Sequence, residues 1–225
     1  MYVSEAVKSR FSCRAFTEKP VSKELIKEIL DVAKQAPSGG NLQPWHIHVI
    51  SGKKLDQIVS DIESKITDMP MGEKTEYDVY PPNLWEPYRS RRFKCGEDLY
   101  KSINIPREDK GARLSQLAKN LRFFDAPVGL FVYIDRKMGP PQWSDVGMFL
   151  QTVMLIAREK GLHSCAQEAW AMWHSTVNKH LVVDNKFMLF CGMGIGYADE
   201  SHPINSWRTD REAVENFTTF YGFEK

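Results

Sequence analysis

The sequence predicts an α+β or α/β sandwich built on a small central sheet. Three observations carry this reading. Stretches of helical and strand periodicity interleave along the 225 residues. Three short apolar runs, 45–51, 127–135 and 186–197, read as strands. One stretch, 143–161, is apolar nearly all round, and a helix of that kind has to be covered on several sides.

The elements follow in order. Residues 1–9 read as a short helix. Pro20-Val21-Ser22 is a helix start with Ser22 as cap, and Leu25, Ile26, Ile29, Leu30 and Ala33 then recur at helical spacing. Pro37, Gly39 and Gly40 stop that helix. A strand at 45–51 precedes an amphipathic helix at 53–67. Residues 68–112, rich in Pro, Tyr, Arg and Lys, show no clean period beyond short helical turns around 87–100. Long connections of this kind tend to be binding segments, so a lid-like insert is expected, ordered by Tyr77, Tyr80, Trp85, Tyr88, Phe93 and Tyr100. A helix at 112–124, a buried strand at 127–135, the apolar helix at 143–161 and a central strand at 186–197 complete the domain. The tail, 208–225, has aromatics but little core pattern, which suits an arm docking on another surface.

Bulk properties bound the function. A chain of this length supports one sizeable core, so residues 1–225 are read as a single domain. With 30 Lys plus Arg against 29 Asp plus Glu, the net charge of +1 offers no nucleic-acid surface. No apolar run reaches the length of a membrane span, and the first residues lack the apolar core of a signal peptide. Cys13, Cys95, Cys165 and Cys191 are scattered without a C-x-x-C pair, which disfavours a disulfide framework or zinc site. A cytoplasmic location is expected. His46 and His48 share a strand face, but no acidic or cysteine partner stands at a suitable spacing, so they read as structural and no metal site is assigned. Gly192, Gly194 and Gly196 precede a loop rather than a helix; they read as close packing or a bulge, not as a dinucleotide fingerprint.

Two constellations carry chemistry. Arg10, Ser12 and Arg14 lie within five residues directly after a helix, and a guanidinium fork with a hydroxyl suits a phosphate. Alternatively they form a solvated basic turn. Residues 36–45, A-P-S-G-G-N-L-Q-P-W, combine small residues that admit a flat ligand with Asn41 and Gln43, whose amides match a heterocycle edge. The bland reading is a helix-to-strand loop. In the insert, Glu86, Tyr88, Arg89, Arg91, Arg92 and Lys94 form either a solvated face or a carboxylate-binding patch.

Together these segments resemble the nitroreductase family: R-F-S-C-R at 10–14, P-V at 20–21 and A-P-S-G-G-N-L-Q-P-W at 36–45 match its N-terminal signature in content, order and spacing. The resemblance continues through Q-W-S-D-V-G at 142–147, G-L-H-S-C-A-Q-E-A-W at 161–170, G-M-G-I-G-Y-A-D at 192–199 and R-T-D-R at 208–211. The Q-E-A-W variant and the long insert look like the branch of 4-nitrobenzoate reductases. The resemblance implies a nitroreductase-like three-layer α/β/α sandwich with a small mixed sheet, homodimeric with exchanged terminal arms. It implies FMN as cofactor, with NADH or NADPH as a transient co-substrate and a small electron-poor oxidant, nitroaromatic or quinone, in ping-pong turnover. Residue by residue, Arg10, Phe11 and Ser12 fall in the stretch that holds the flavin phosphate and ribityl chain. Arg14 matches the basic residue near N1 and the C2 carbonyl. Pro37, Ser38, Gly39 and Asn41 match a flavin-contacting loop usually given by the other subunit. Gln167, Glu168 and Ala169 match the segment whose backbone N–H faces N5, and Asn120 the pyrimidine edge. Arg211 or Arg208 matches a phosphate-binding arginine. No side chain is implied as nucleophile.

Two other functions are compatible with the same sequence. Relatives on this fold carry out reductive dehalogenation or enone reduction, and Glu97, Tyr100 and Lys101 could imitate a lid that grips an amino-acid zwitterion. A flavin-binding store or sensor without turnover is the alternative of another class.

Overall fold

The computed structural model describes residues 1–223, so Glu224 and Lys225, the last residues of the expected arm, lie outside the described residues. Its elements are α1 (Val3–Ser9), α2 (Lys23–Ala33), β1 (His46–Ser51), α3 (Gly52–Lys65), α4 (Tyr88–Ser102), α5 (Lys110–Ala118), β2 (Val128–Asp135), α6 (Pro140–Glu159), β3 (His163–Gln167), α7 (His174–Leu181), β4 (Phe187–Gly196) and α8 (Pro203–Ser206). The strands form one sheet in the order β1-β2-β4-β3. Every strand pair in it is antiparallel, which corrects the mixed sheet expected; the parallel contact is a single bridge between Ser12 and Ser164.

Strand alternation builds the two covering layers. On one face Leu130, Val132 and Ile134 of β2 and Met193 and Ile195 of β4 meet Ile26 and Ile29 of α2 and Val146, Phe149 and Val153 of α6. On the other, Phe131, Tyr133 and Leu189 meet Ile58 and Ile62 of α3 together with Trp170, Trp173 and Val177. Side chains such as Ile29, Ile58 and Ile62 are wholly buried, each worth about 1.5–3 kcal/mol of transfer free energy. Ser22 caps α2 by accepting from the Leu25 N–H. The glycines of β4 admit close neighbours: a side chain at Gly192 would collide with Trp170, and one at Gly194 with the Phe123 backbone.

The structure departs from the sequence reading in three places. The helix expected over 112–124 ends at Ala118 and continues as 3-10 turns over Lys119–Asp125, where Phe123 and Phe124 take positive φ to reach the core. The insert contains a full helix, α4, with no buried residue and with mostly polar side chains. Its Lys94–Asp98 pair at i,i+4 supplies support that an apolar stripe would otherwise give. Finally, β3 and α7 were not singled out. His163-Ser-Cys-Ala-Gln167 has no strand alternation, and burial of four of its five residues comes from tertiary packing.

The insert is also two things rather than one. Its first part is fixed to the body. Gly72, at φ +75°, lies against the Met172 backbone, and the Glu73 carboxylate accepts from the Ser175 and Thr176 N–H groups at 2.9 and 3.1 Å. Tyr77 donates to the Phe190 carbonyl and packs against Trp143. The exposed part begins near Asp78.

Candidate functional site

The site grows from the edge of the sheet. β3 is an edge strand, and the extended stretch after α1 runs beside it: Ser12 bridges to Ser164, and the Cys13 N–H donates to the Ser164 carbonyl at 3.0 Å. Extended backbone alternates its side chains, so R-x-S-x-R places Arg10, Ser12 and Arg14 together while Cys13 turns fully into the core. Burial pushes the Cys13 thiol up to about 12 and Cys165 to about 11, so neither is a nucleophile.

Around this stretch the structure gathers cations that no carboxylate pairs with among the described residues. Arg208 lies over the Phe11 ring at 3.9 Å, and Phe11 is tilted against His163 at 4.8 Å. Arg158 of α6 reaches the Leu162 carbonyl at 3.1 Å and contacts His163 Nδ1 at 3.5 Å. Burial, then Arg158 and Arg208, push His163 down to about 4, so it is neutral at pH 7. Partial burial and the nearby Arg211 both disfavour the charge on Arg10. Among the described residues no carboxylate pairs with Arg10, Arg14, Arg158, Arg208 or Arg211. Like charges held together and partly desolvated cost free energy unless an anion joins them. This is the environment a phosphate fits. Arg208 already donates to the Asn205 and Trp207 carbonyls, whereas Arg211 uses only Nη1, on Thr209 and Asp210, leaving the rest of its fork free.

At the other end of β3, Gln167 donates to the Asn120 carbonyl at 2.7 Å, and its Oε1 is buried without a partner, as is Ser164 Oγ. Glu168 and Ala169 open the 3-10 turn Glu168–Trp173; the first N–H groups of such a turn have no acceptor within it. Ala169 and Asn120 border an apolar cleft of about 430 Å³ whose walls include Leu114, Leu117 and Met172. Arg14 donates its backbone N–H to Asn205 and stands 5.9 Å from the Phe124 ring.

Thus Arg10, Phe11, Ser12, Arg14, Arg208 and Arg211 come together, with Gln167 and Glu168 further along the same edge. The second constellation does not join them within one chain. Pro37, Ser38, Gly39 and Asn41 sit at the other end of α6, where the Gly39 N–H donates to the buried Asp145 carboxylate at 3.2 Å. Asp145 and Arg158 are thirteen residues apart on that helix, or about 20 Å at 1.5 Å per residue. Three participants were not assigned from sequence. Arg158 was visible as the first cation after the apolar run of α6, and Asp145 and His163 stood inside quoted motifs without a role.

Other candidates settle into structural roles. His46 packs on Phe187 and His48 on Tyr133, both shifted below the usual imidazole value, chiefly by burial. Among the described residues no group of three His, Cys, Asp or Glu side chains is placed to hold a metal, and no helix is long and apolar enough to cross a membrane. Glu97, proposed for a zwitterion grip, is held bidentately by Arg113 at 2.6 and 3.0 Å, which leaves it unavailable. In the insert, Arg89 pairs with Glu86, Arg91 with Glu212, and Lys94 with Asp98 and Asp210. Arg92 instead lies over the Tyr80 ring at 4.0 Å with no carboxylate among the described residues.

The model of the nitroreductase family matches residues 7–197. A 4-nitrobenzoate reductase of Pseudomonas putida is 40% identical over 97% of this chain and 95% of its own. A nitrobenzene nitroreductase of Ectopseudomonas oleovorans is 36% identical over 97% and 96%. The solved structure of an FMN- and NADPH-dependent nitroreductase from Sphigopyxis sp. strain HMH superposes with a TM-score of 0.96 at 45% identity, covering 99% of this chain and 100% of that one.

Proposed function

The chain belongs to the nitroreductase family, and from that premise we propose that it is an FMN-dependent oxidoreductase that uses NADPH or NADH to reduce nitroaromatic, quinone or similar electron-poor molecules in ping-pong turnover. The observation that carries this reading is the cluster of Arg10, Arg208 and Arg211, none of them paired with a carboxylate among the described residues, beside neutral His163, at the edge that also offers free N–H donors. FMN, when bound, supplies the hydride chemistry, taking two electrons from the nicotinamide and delivering them to the oxidant.

The residues do the rest. Arg10, Ser12 and Arg211 hold the phosphate, with Arg208 braced on Phe11 behind them. Arg14 places positive charge near the ring system, which favours an electron-rich cofactor. The Gln167–Asn120 pair and the Glu168 and Ala169 N–H groups meet its polar edge, and the apolar cleft beside Ala169 accepts the flat body of an aromatic oxidant. The 78–109 part of the insert acts as the lid, and its unpaired Arg92 favours an oxidant that carries a carboxylate.

A second copy of the chain completes the site. The 37–41 loop lies about 20 Å along α6 from Arg158, so the loop of one copy serves the arginines of the other. Met148 of α6, Tyr2 and Val3 at the start of α1, and Phe217, Phe220 and Tyr221 of the tail are exposed apolar side chains that such a dimer would cover, the termini acting as exchanged arms. The free, scattered cysteines suit a reducing cytoplasm.

The test is anaerobic addition of NADPH to the FMN-loaded protein, followed by 4-nitrobenzoate. Bleaching and then recovery of the yellow colour supports the reading. Bleaching without recovery by any nitroaromatic or quinone would contradict the oxidant class, and no bleaching by either nicotinamide would favour a storage protein.

A further inference from the structure

Arg211 stands between two acids, Asp210 and Glu212, which ought to neutralise it. In the fold they do not. Asp210 pairs with Lys94 at 2.7 Å and Glu212 pairs with Arg91, both cations on α4 three residues apart and therefore on one helical face. Asp210 is held below the usual carboxylate range by Lys94, and Lys94 is raised chiefly by Asp210. Glu212 is lowered first by Asn216 and then by Arg91. The residue between the two anchors, Arg211, is the one whose charge reaches Arg10.

We propose that the Lys94–Asp210 and Arg91–Glu212 pairs form a clasp by which the lid helix α4 positions Arg211 against Arg10, so that α4 governs how firmly the phosphate end of the flavin is held. The inference rests on the reading that Arg211 meets that phosphate. Two guanidinium groups repel, so an unfastened tail would carry Arg211 away from Arg10. The clasp opposes this by engaging both flanking acids at once. Exposed ion pairs are individually weak, but these two restrain one short segment and share the cost of ordering it. They are positioning groups, and none of the four needs to touch the cofactor. The arrangement also explains why the acids adjoining Arg211 leave its charge uncancelled. The structure thereby joins three parts that the sequence keeps far apart: the helix of the insert, the C-terminal segment and the N-terminal arginine.

The experiment measures FMN dissociation from the holoprotein, by recovery of free-flavin fluorescence after dilution. Asp210→Asn with Glu212→Gln removes two negative charges beside the phosphate. By charge alone this variant should hold FMN more tightly, whereas loss of the clasp should release it about three- to ten-fold faster, as expected for two weak pairs. Lys94→Asp should also speed release, and pairing it with Asp210→Lys should restore retention. Unchanged or slower release from the double variant, with Arg211→Ala losing FMN, would overturn the clasp while leaving the phosphate reading intact. Unchanged release from Arg211→Ala would overturn both.

Discussion

The arginine cluster beside β3 and the exposed face of α4 use the same residue types to opposite ends. Both are rich in arginine, and both lie at the edge of the fold. On α4 the cations are exposed and mostly matched: Arg89 with Glu86, Arg91 with Glu212, Lys94 with two aspartates. Beside β3, Arg10, Arg14 and Arg158 are partly buried while Arg208 and Arg211 are exposed; none has a carboxylate partner among the described residues, and the adjacent histidine is driven neutral. The difference teaches that an arginine count does not point to an anion site, whereas arginines gathered without carboxylate partners do. Matched surface pairs contribute little; unmatched, partly desolvated cations store a cost that a bound anion relieves.

The sharpest way to break the comparison is one substitution in each region. Arg10→Ala should weaken FMN binding by roughly 1.5–3 kcal/mol, about ten- to a hundred-fold, since it removes a charge-assisted contact. Arg89→Ala, on α4, should leave FMN affinity within about two-fold. Equal losses measured by flavin fluorescence titration would erase the distinction.

His163 sharpens it through pH. Its folded value of about 4 lies below the ordinary 6.5. Between these values the unfolded chain binds the proton first, so the histidine's contribution to stability is present above about 6.5 and is lost as pH falls towards 4, on the order of 2 kcal/mol in total. Thermal melts of the apoprotein should show that decline, and His163→Gln should flatten it. A parallel decline in both proteins would assign it elsewhere.

Within α4, Arg92 tests whether one unmatched cation differs from its matched neighbours. Arg92→Ala should lower kcat/KM for 4-nitrobenzoate about ten-fold relative to nitrobenzene, the loss of roughly one charge-assisted contact. Loss of both substrates alike would make it structural. Smallest of all, Glu73→Ala removes the acceptor for two N–H groups at the start of α7 and should cost about 1 kcal/mol in urea unfolding without altering FMN binding. An unchanged midpoint would mean that water replaces the carboxylate.

The sequence made some of this legible and hid the rest for physical reasons. α2 was readable because its apolar residues repeat at 3.6 and Ser22 caps it. β2 and β4 were readable as dense apolar runs. α4 was only half visible, since a helix with no buried face has no stripe to read. β3 and the break after Ala118 are decided by distant packing, which no local window contains. Of the arginine cluster, the sequence offered Arg10, Ser12 and Arg14 as one closely spaced stretch and Arg208 and Arg211 as two alternatives. Arg158 and His163 enter it because α6 and β3 bring them there, and the pairing of Asp210 and Glu212 with α4 spans more than a hundred residues.

The account turns on whether the unmatched arginines serve a phosphate. Affinity of the apoprotein for FMN against riboflavin, which differs only by that group, tests this most directly. The account predicts that FMN binds at least about thirty-fold more tightly and that Arg10→Ala removes most of the preference. Equal affinity for the two flavins in the unaltered protein would contradict it.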